Sequence, residues 1–185
     1  MNTGQTMITL LAMVLLSFLI LRVNNMFLQT NTTLYTTKFE VLGYSLAQSM
    51  LQEIERLSFD QNTVSAAISD SSNLSSTLGP ETGETNDSLF NDIDDYNNFT
   101  RSDTVPDHNG IVFNLRCKVE YVLPTTPDVA TSSKTWQKRI TIFVTSPYMT
   151  QNTLTNQYYK NVTATTPQQQ DTIKLSQVFS YWIFK

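Results

Sequence analysis

The chain has 185 residues, of which twelve are basic and sixteen acidic, with a formal charge of −4, one cysteine and one histidine. That length supports one domain with a modest core, or one domain plus an extended element, but not two full domains. The lone Cys117 excludes an intrachain disulfide, and the lone His108 removes most metal and nucleophilic chemistry. Basic residues do not cluster beyond Lys138-Arg139, so no nucleic-acid partner is expected.

The first element is apolar. Met7 to Leu21 runs fifteen residues without a charge, followed by Arg22 and the polar pair Asn24-Asn25. At ~1.5 Å per residue this is about 22 Å of helix against a bilayer core of about 30 Å. Met26, Phe27 and Leu28 extend the span if Arg22 snorkels. A cleaved secretory signal is disfavoured, because Met1–Thr6 carries no positive charge and no small-x-small site follows the apolar run. From Tyr35 the large apolar residues fall at Tyr35, Phe39, Leu42, Leu46, Met50, Ile54 and Leu57, which is the helical period. Residues of about 6–57 therefore read as one helix, bare in its first half and amphipathic in its second. Gly43 and the cluster Thr30, Thr32, Thr33, Thr36 and Thr37 are weak helix formers, and a kink or a melted turn is expected near 24–37.

Two features carry a family resemblance. Gly4-Gln5-Thr6-Met7-Ile8-Thr9-Leu10 resembles the processing motif of type IV prepilins. Leu51-Gln-Glu-Ile-Glu-Arg-Leu-Ser-Phe-Asp60 and Phe90-Asn-Asp-Ile-Asp-Asp-Tyr-Asn97 are similar to segments of minor pilins in mannose-sensitive haemagglutinin pilus systems. The resemblance covers about half the chain. It implies a cut between Gly4 and Gln5 by a prepilin peptidase, with retention of Met1–Gly4 as the alternative because Thr9 offers the new amine no carboxylate, and an inner membrane location before assembly. It further implies polymerisation with copies of the same chain on an inner-membrane assembly platform, giving an extracellular filament on the cell surface. Thr9, Leu10, Met13, Val14, Leu16, Ser17 and Leu21 would lie along the helix contacts of such a fibre. The chain departs from the family pattern at Gln5, at Thr9 where Glu is usual, and in its uncharged leader. A pseudopilin of a type II secretion machine and a helix-anchored surface binding module, with Tyr148, Tyr158 and Tyr159 as its aromatic candidates, stand as alternatives.

The next segment is acidic. Residues 60–108 hold ten of the sixteen acidic residues and only Arg101 as a base, so they carry −9 while the rest of the chain carries +5. Ser, Thr, Asn, Asp and Gly dominate, with isolated apolar anchors Leu74, Leu78, Leu89, Phe90, Ile93, Tyr96 and Phe99, which reads as a long, partly ordered loop. Asp92, Asp94 and Asp95 have the oxygen chemistry of calcium ligands, although the EF-hand glycine and terminal glutamate are missing and turn capping is the plainer role. Apart from calcium no cofactor is expected.

From Gly110 the period changes to two. Ile111, Phe113, Leu115, Cys117, Val119, Tyr121 and Leu123 share one face of a strand, and Trp136, Lys138, Ile140, Ile142 and Val144 one face of a second. A third strand is expected through Ile173, Leu175, Phe179, Tyr181 and Ile183, with Trp182 and Phe184 on its other face. The fold class that follows is α+β, a long N-terminal helix packed on a small antiparallel β-meander, because neither apolar face can be buried alone. Its divisions are a hydrophobic membrane or polymerisation helix at 1–28, the amphipathic half of that helix at 29–58, the acidic loop at 59–109 and the β head at 110–185. No nucleophile elbow, phosphate loop or HExxH occurs, and an enzyme is not expected. Asn31, Asn73, Asn86, Asn98 and Asn161 each begin an Asn-x-Ser/Thr sequon, a candidate surface glycosylation site.

Overall fold

The computed structural model describes residues 3–106, 110–149 and 172–184, the side chains of residues 32, 148, 183 and 184 excepted. One helix, α1, runs without interruption from Thr3 to Ile54. At ~1.5 Å per residue it is about 78 Å long. No turn is melted near 24–37. Thr30 and Thr33 donate their hydroxyls to the carbonyls of Met26 and Gln29 at 2.9 and 3.0 Å, so these residues satisfy themselves against the helix instead of breaking it.

Five strands form one antiparallel sheet: β1 (Thr100–Val105), β2 (Ile111–Leu123), β3 (Thr126–Ala130), β4 (Gln137–Thr145) and β5 (Thr172–Ser180). The main path is β1-β2-β4-β5, and β3 pairs with the far end of β2. Cys117 faces Ile142 across β2 and β4, and Ile142 faces Leu175 across β4 and β5. The alternation read from the sequence places the buried face of β2 correctly from Ile111 to Tyr121. Leu123 is an exception: the pairing slips between Val122 and Leu123, which leaves Val122 buried and Leu123 exposed. Two strands have no clean period in the sequence. β1 is half-exposed and paired on β2, and β3 is exposed along its whole length, so neither needs an apolar face. The last expected strand stops at Ser180 and continues as a 3₁₀ turn, Tyr181–Phe184.

The second half of α1 lies on the sheet. Phe39, Ala47, Met50, Leu51 and Ile54 are buried in one cluster with Phe113, Leu115, Cys117, Ile140, Ile142, Val144 and Phe179. The packed stripe begins at Phe39, since Tyr35 is exposed. Gly43 sits at the closest approach: a Cβ there would stand 2.8 Å from Ile173 Cδ1 and 3.5 Å from both Phe113 and Val144. The missing side chain lets helix and sheet touch.

The acidic segment is exposed or half-buried from 61 to 89 apart from Leu74, as its composition suggests, but its ends enter the core. Short 3₁₀ turns at Gln61–Thr63, Ser71–Asn73 and Asp87–Leu89 are capped by the side chains of Asp60, Asp70 and Asn86, which confirms the capping role of these residue types. Between the caps, Leu74, Phe90, Ile93 and Tyr96 enter the core, and Phe90, Tyr96 and Phe99 meet edge-to-face at centroid distances of 5.0–5.4 Å. Ser58, just past the helix, accepts from Ile93 N at 2.9 Å and donates to Asn91 O at 3.2 Å, which docks the segment onto the helix exit. Arg101, the lone base, reaches Glu53 of α1 at 2.9 Å, Asp103 at 3.2 Å and Asp87 at 3.6 Å, so it ties helix, segment and β1 together.

Candidate functional sites: a bare apolar helix and a buried lysine centre

The described side chains of the first half of α1 are exposed, with Thr6 half-buried. Its most apolar eighteen residues have a mean hydropathy of 2.3, and none of that stretch is buried. Leu10, Met13, Val14, Leu16 and Leu21, five of the residues expected along fibre contacts, are each more than half exposed. The other two, Thr9 and Ser17, are exposed as well, but their hydroxyls donate to Thr6 O and Met13 O at 2.9 Å. No hydroxyl of this stretch therefore depends on water, and an apolar environment does not penalise it. Gly4 and Gln5 stand exposed in the first turn. The helix is long and apolar enough to cross a membrane.

The second site is at the other end of α1, where the chain leaves the helix. Lys138 on β4 falls on the apolar face of its strand, between Trp136 and Ile140 in the alternation, and is fully buried. Its Nζ donates to Phe59 O at 2.7 Å, Asp60 Oδ2 at 2.8 Å and Asp94 Oδ1 at 2.5 Å. Three acceptors match the three protons of an ammonium. The rings of Phe59 and Tyr121 flank it at 4.7 and 5.3 Å. Asp60 also accepts from Ser75 N, Ser75 Oγ and Asn62 N at 2.9–3.1 Å. The Tyr121 hydroxyl lies 3.1 Å from Asp60 Oδ2 and 3.0 Å from Ser75 O.

The carboxyls of this centre divide by environment. Burial works to raise Asp60, but the Lys138 ammonium and the Ser75 and Asn62 N–H groups outweigh it and hold the carboxyl below its ordinary value. For Asp94 burial wins over Lys138, and the group is raised. Asp92 is pushed up to about 9, by burial first and then by Asp94 and Asp95. It carries its proton at neutral pH. Burial also drives the Tyr121 hydroxyl and the Cys117 thiol upward, the thiol to about 12, so Cys117 is an unreactive core residue.

The three aspartates expected as calcium ligands do not converge. Asp94 points at Lys138, whose charge repels a cation, and Asp92 Oδ1 accepts from Asp94 N at 2.7 Å. Asp95 turns the other way, accepting from Asn91 N at 2.9 Å and Asp92 N at 3.1 Å, and meets Glu81 and Glu84. One oxygen from each of Glu81, Glu84 and Asp95 lies within 4.8 Å of the others. These are hard oxygen donors of the kind calcium takes, but three carboxylates fall short of the six to eight oxygens it requires. Glu81 is raised to about 7, by burial, then by Glu84 and Asp95.

Of the sequons, Asn31, Asn73, Asn86 and Asn98 are all exposed, Asn31 on α1 and Asn98 at a positive φ of 63°. Asn161, Tyr158, Tyr159 and His108 lie outside the described residues, as does the side chain of Tyr148. Trp182 is exposed and lies 5.8 Å from Trp136 between ring centroids.

Sequence reasoning read Lys138 as one residue of an apolar face and stopped there. The signal was available: a lysine in register with Ile140, Ile142 and Val144 must either disrupt the core or meet buried acids. Nothing in the spacing says which acids, because Asp60 and Asp94 are 78 and 44 residues away.

The class these features define is an α+β protein in which one long helix packs on a small antiparallel sheet and projects an apolar half beyond it. Comparison with family models, with curated proteins and with solved structures finds no match.

Proposed function

We propose that the chain is a structural subunit of a type IV pilus-like filament, held in the inner membrane by the first half of α1 before assembly and packed through the same surface against copies of itself afterwards. The observation that carries this reading is the division of α1. From Phe39 onward the helix is part of the head's core, while from Thr3 to Tyr35 its described side chains are exposed or, at Thr6, half-buried, and none joins that core. Each large side chain there gains about 1.5–3 kcal/mol when removed from water, whether by lipid or by a neighbouring helix. Thr6, Thr9 and Ser17, whose hydroxyls donate to carbonyls of the preceding turn, suit both environments. The assembly platform and a prepilin peptidase are the further partners of this reading, and the cell surface is its destination.

The test is electron microscopy of material sheared from cells, with wild type beside Leu16→Asp. Filaments from the wild type, and their loss in the variant with the head's circular dichroism unchanged, support the reading. Normal filaments from Leu16→Asp, or a wild-type chain that stays membrane-bound and monomeric, refute it.

A further inference from the structure

The surroundings of Lys138 go beyond what an ion pair needs. The amine and Asp94 are both buried, in contact at 2.5 Å, and roofed by the Phe59 and Tyr121 rings. Asp94 Oδ2 has no hydrogen-bond donor among the described residues. Asp92 stands beside Asp94, its Oδ1 accepting from Asp94 N at 2.7 Å, and Asp60 lies on the amine's other side at 2.8 Å. A nucleophile, an electrophilic carboxyl, an acid and a base thus share one dry compartment. We propose that Lys138 Nζ and Asp94 Cγ condense to an intramolecular amide, with Asp60 as the proton acceptor and Asp92 as the proton donor.

The step balances without any external reagent. Lys138 passes one ammonium proton to Asp60, and the freed amine attacks Asp94 Cγ while Asp92 protonates the Asp94 carboxylate. The tetrahedral adduct returns a nitrogen proton to Asp92. One carboxyl oxygen leaves as water with the proton held by Asp60, and the C–N bond remains. Nothing is oxidised or reduced, Asp60 and Asp92 end as they began, and the sum is ammonium plus carboxylate giving amide plus water. Asp92 is suited to its part, since burial and its acidic neighbours keep it protonated to about pH 9. Asp60 is suited to the opposite part, held ionised by its donors against the pull of burial. Fixing the reactants side by side supplies the entropic term of such a reaction, which in well-oriented intramolecular cases equals an effective concentration of ~10⁵–10⁸ M. Exclusion of water from the product protects the bond from hydrolysis. The amide would join the segment after α1 to the middle of the sheet, at the point where tension along the helix enters the head.

The experiment is mass spectrometry of the full chain and of its proteolytic peptides. The expected result is a deficit of one water, carried by a branched peptide that joins the segment containing residue 94 to the one containing residue 138. Lys138→Arg, which keeps the charge, should show the full sequence mass, and Asp94→Asn should lose one ammonia in place of water. Asp92→Asn should slow or abolish the deficit. Unlinked wild-type peptides of full mass overturn the proposal. So does a water deficit that persists in Lys138→Arg or maps within a single linear peptide, which would mark a succinimide instead.

Discussion

The first half of α1 and the acidic segment after it reverse each other's expectations. Residues 7–28 are among the most apolar of the chain and lie exposed, whereas four aspartates of the acidic segment, Asp60, Asp92, Asp94 and Asp95, are buried. Hydrophobicity states what a residue gains from burial. It does not say whether the same chain supplies the cover. Among the described residues no strand lies under the first half of the helix, and that half is long and apolar enough to cross a membrane. The aspartates have Lys138 and a set of backbone N–H groups, so they are covered by their own chain.

The sharpest way to test this contrast is to remove one region and ask whether the other notices. A fragment beginning near Thr30 should lose all membrane association and assembly yet remain soluble, monomeric and mixed helix and strand, because the packed stripe starts at Phe39. Size-exclusion chromatography with circular dichroism reads the outcome, and persistent oligomers would mean that the bare half belongs to the core.

Lys138→Met breaks the other region. It strands Asp60 and Asp94 as buried acids without their cation, and removal of one partner of a buried pair costs about 3–5 kcal/mol. Urea denaturation of the same fragment should show a correspondingly lower midpoint. Removing the acids as well, by Asp60→Asn and Asp94→Asn, should recover part of the loss, because the penalty comes from uncompensated charge. A triple variant weaker than Lys138→Met would contradict that account.

A smaller effect is expected where helix and sheet meet. Gly43→Leu inserts a side chain where even a Cβ stands 2.8 Å from Ile173 and 3.5 Å from Phe113 and Val144, and overpacking of this kind costs ~1–3 kcal/mol. The same denaturation measurement decides it, and an unchanged midpoint would show that β5 yields freely.

The smallest effect concerns pH. Glu81 is raised in the folded chain from 4.5 to about 7, so the folded state holds its proton where the unfolded chain has released it. Glu81 therefore contributes stability that declines as pH rises from 4.5 to about 7. Glu81→Gln should flatten that part of the profile of melting temperature against pH. An identical slope in the variant would assign the dependence to another group.

The strand alternation from Ile111 to Tyr121, the helical stripe from Phe39 to Ile54 and the bare segment before it were legible in the sequence, since periods of two and 3.6 residues are local properties of the backbone. From them the α+β arrangement follows, because each apolar face requires the other. The β1 and β3 strands were not legible, since half-exposed and exposed edge strands need no apolar alternation. Nor was the unbroken helix through its threonines, where hydroxyls bonded to the preceding turn accompany a helix with no melted turn. The fate of the acidic segment was decided only by tertiary structure. Whether an aspartate faces water, as Asp70 does, or a buried ammonium, as Asp60 and Asp94 do, depends on which distant strand passes beneath it. A one-dimensional pattern records the charge of each residue but not the partner that folding brings within 3 Å of it.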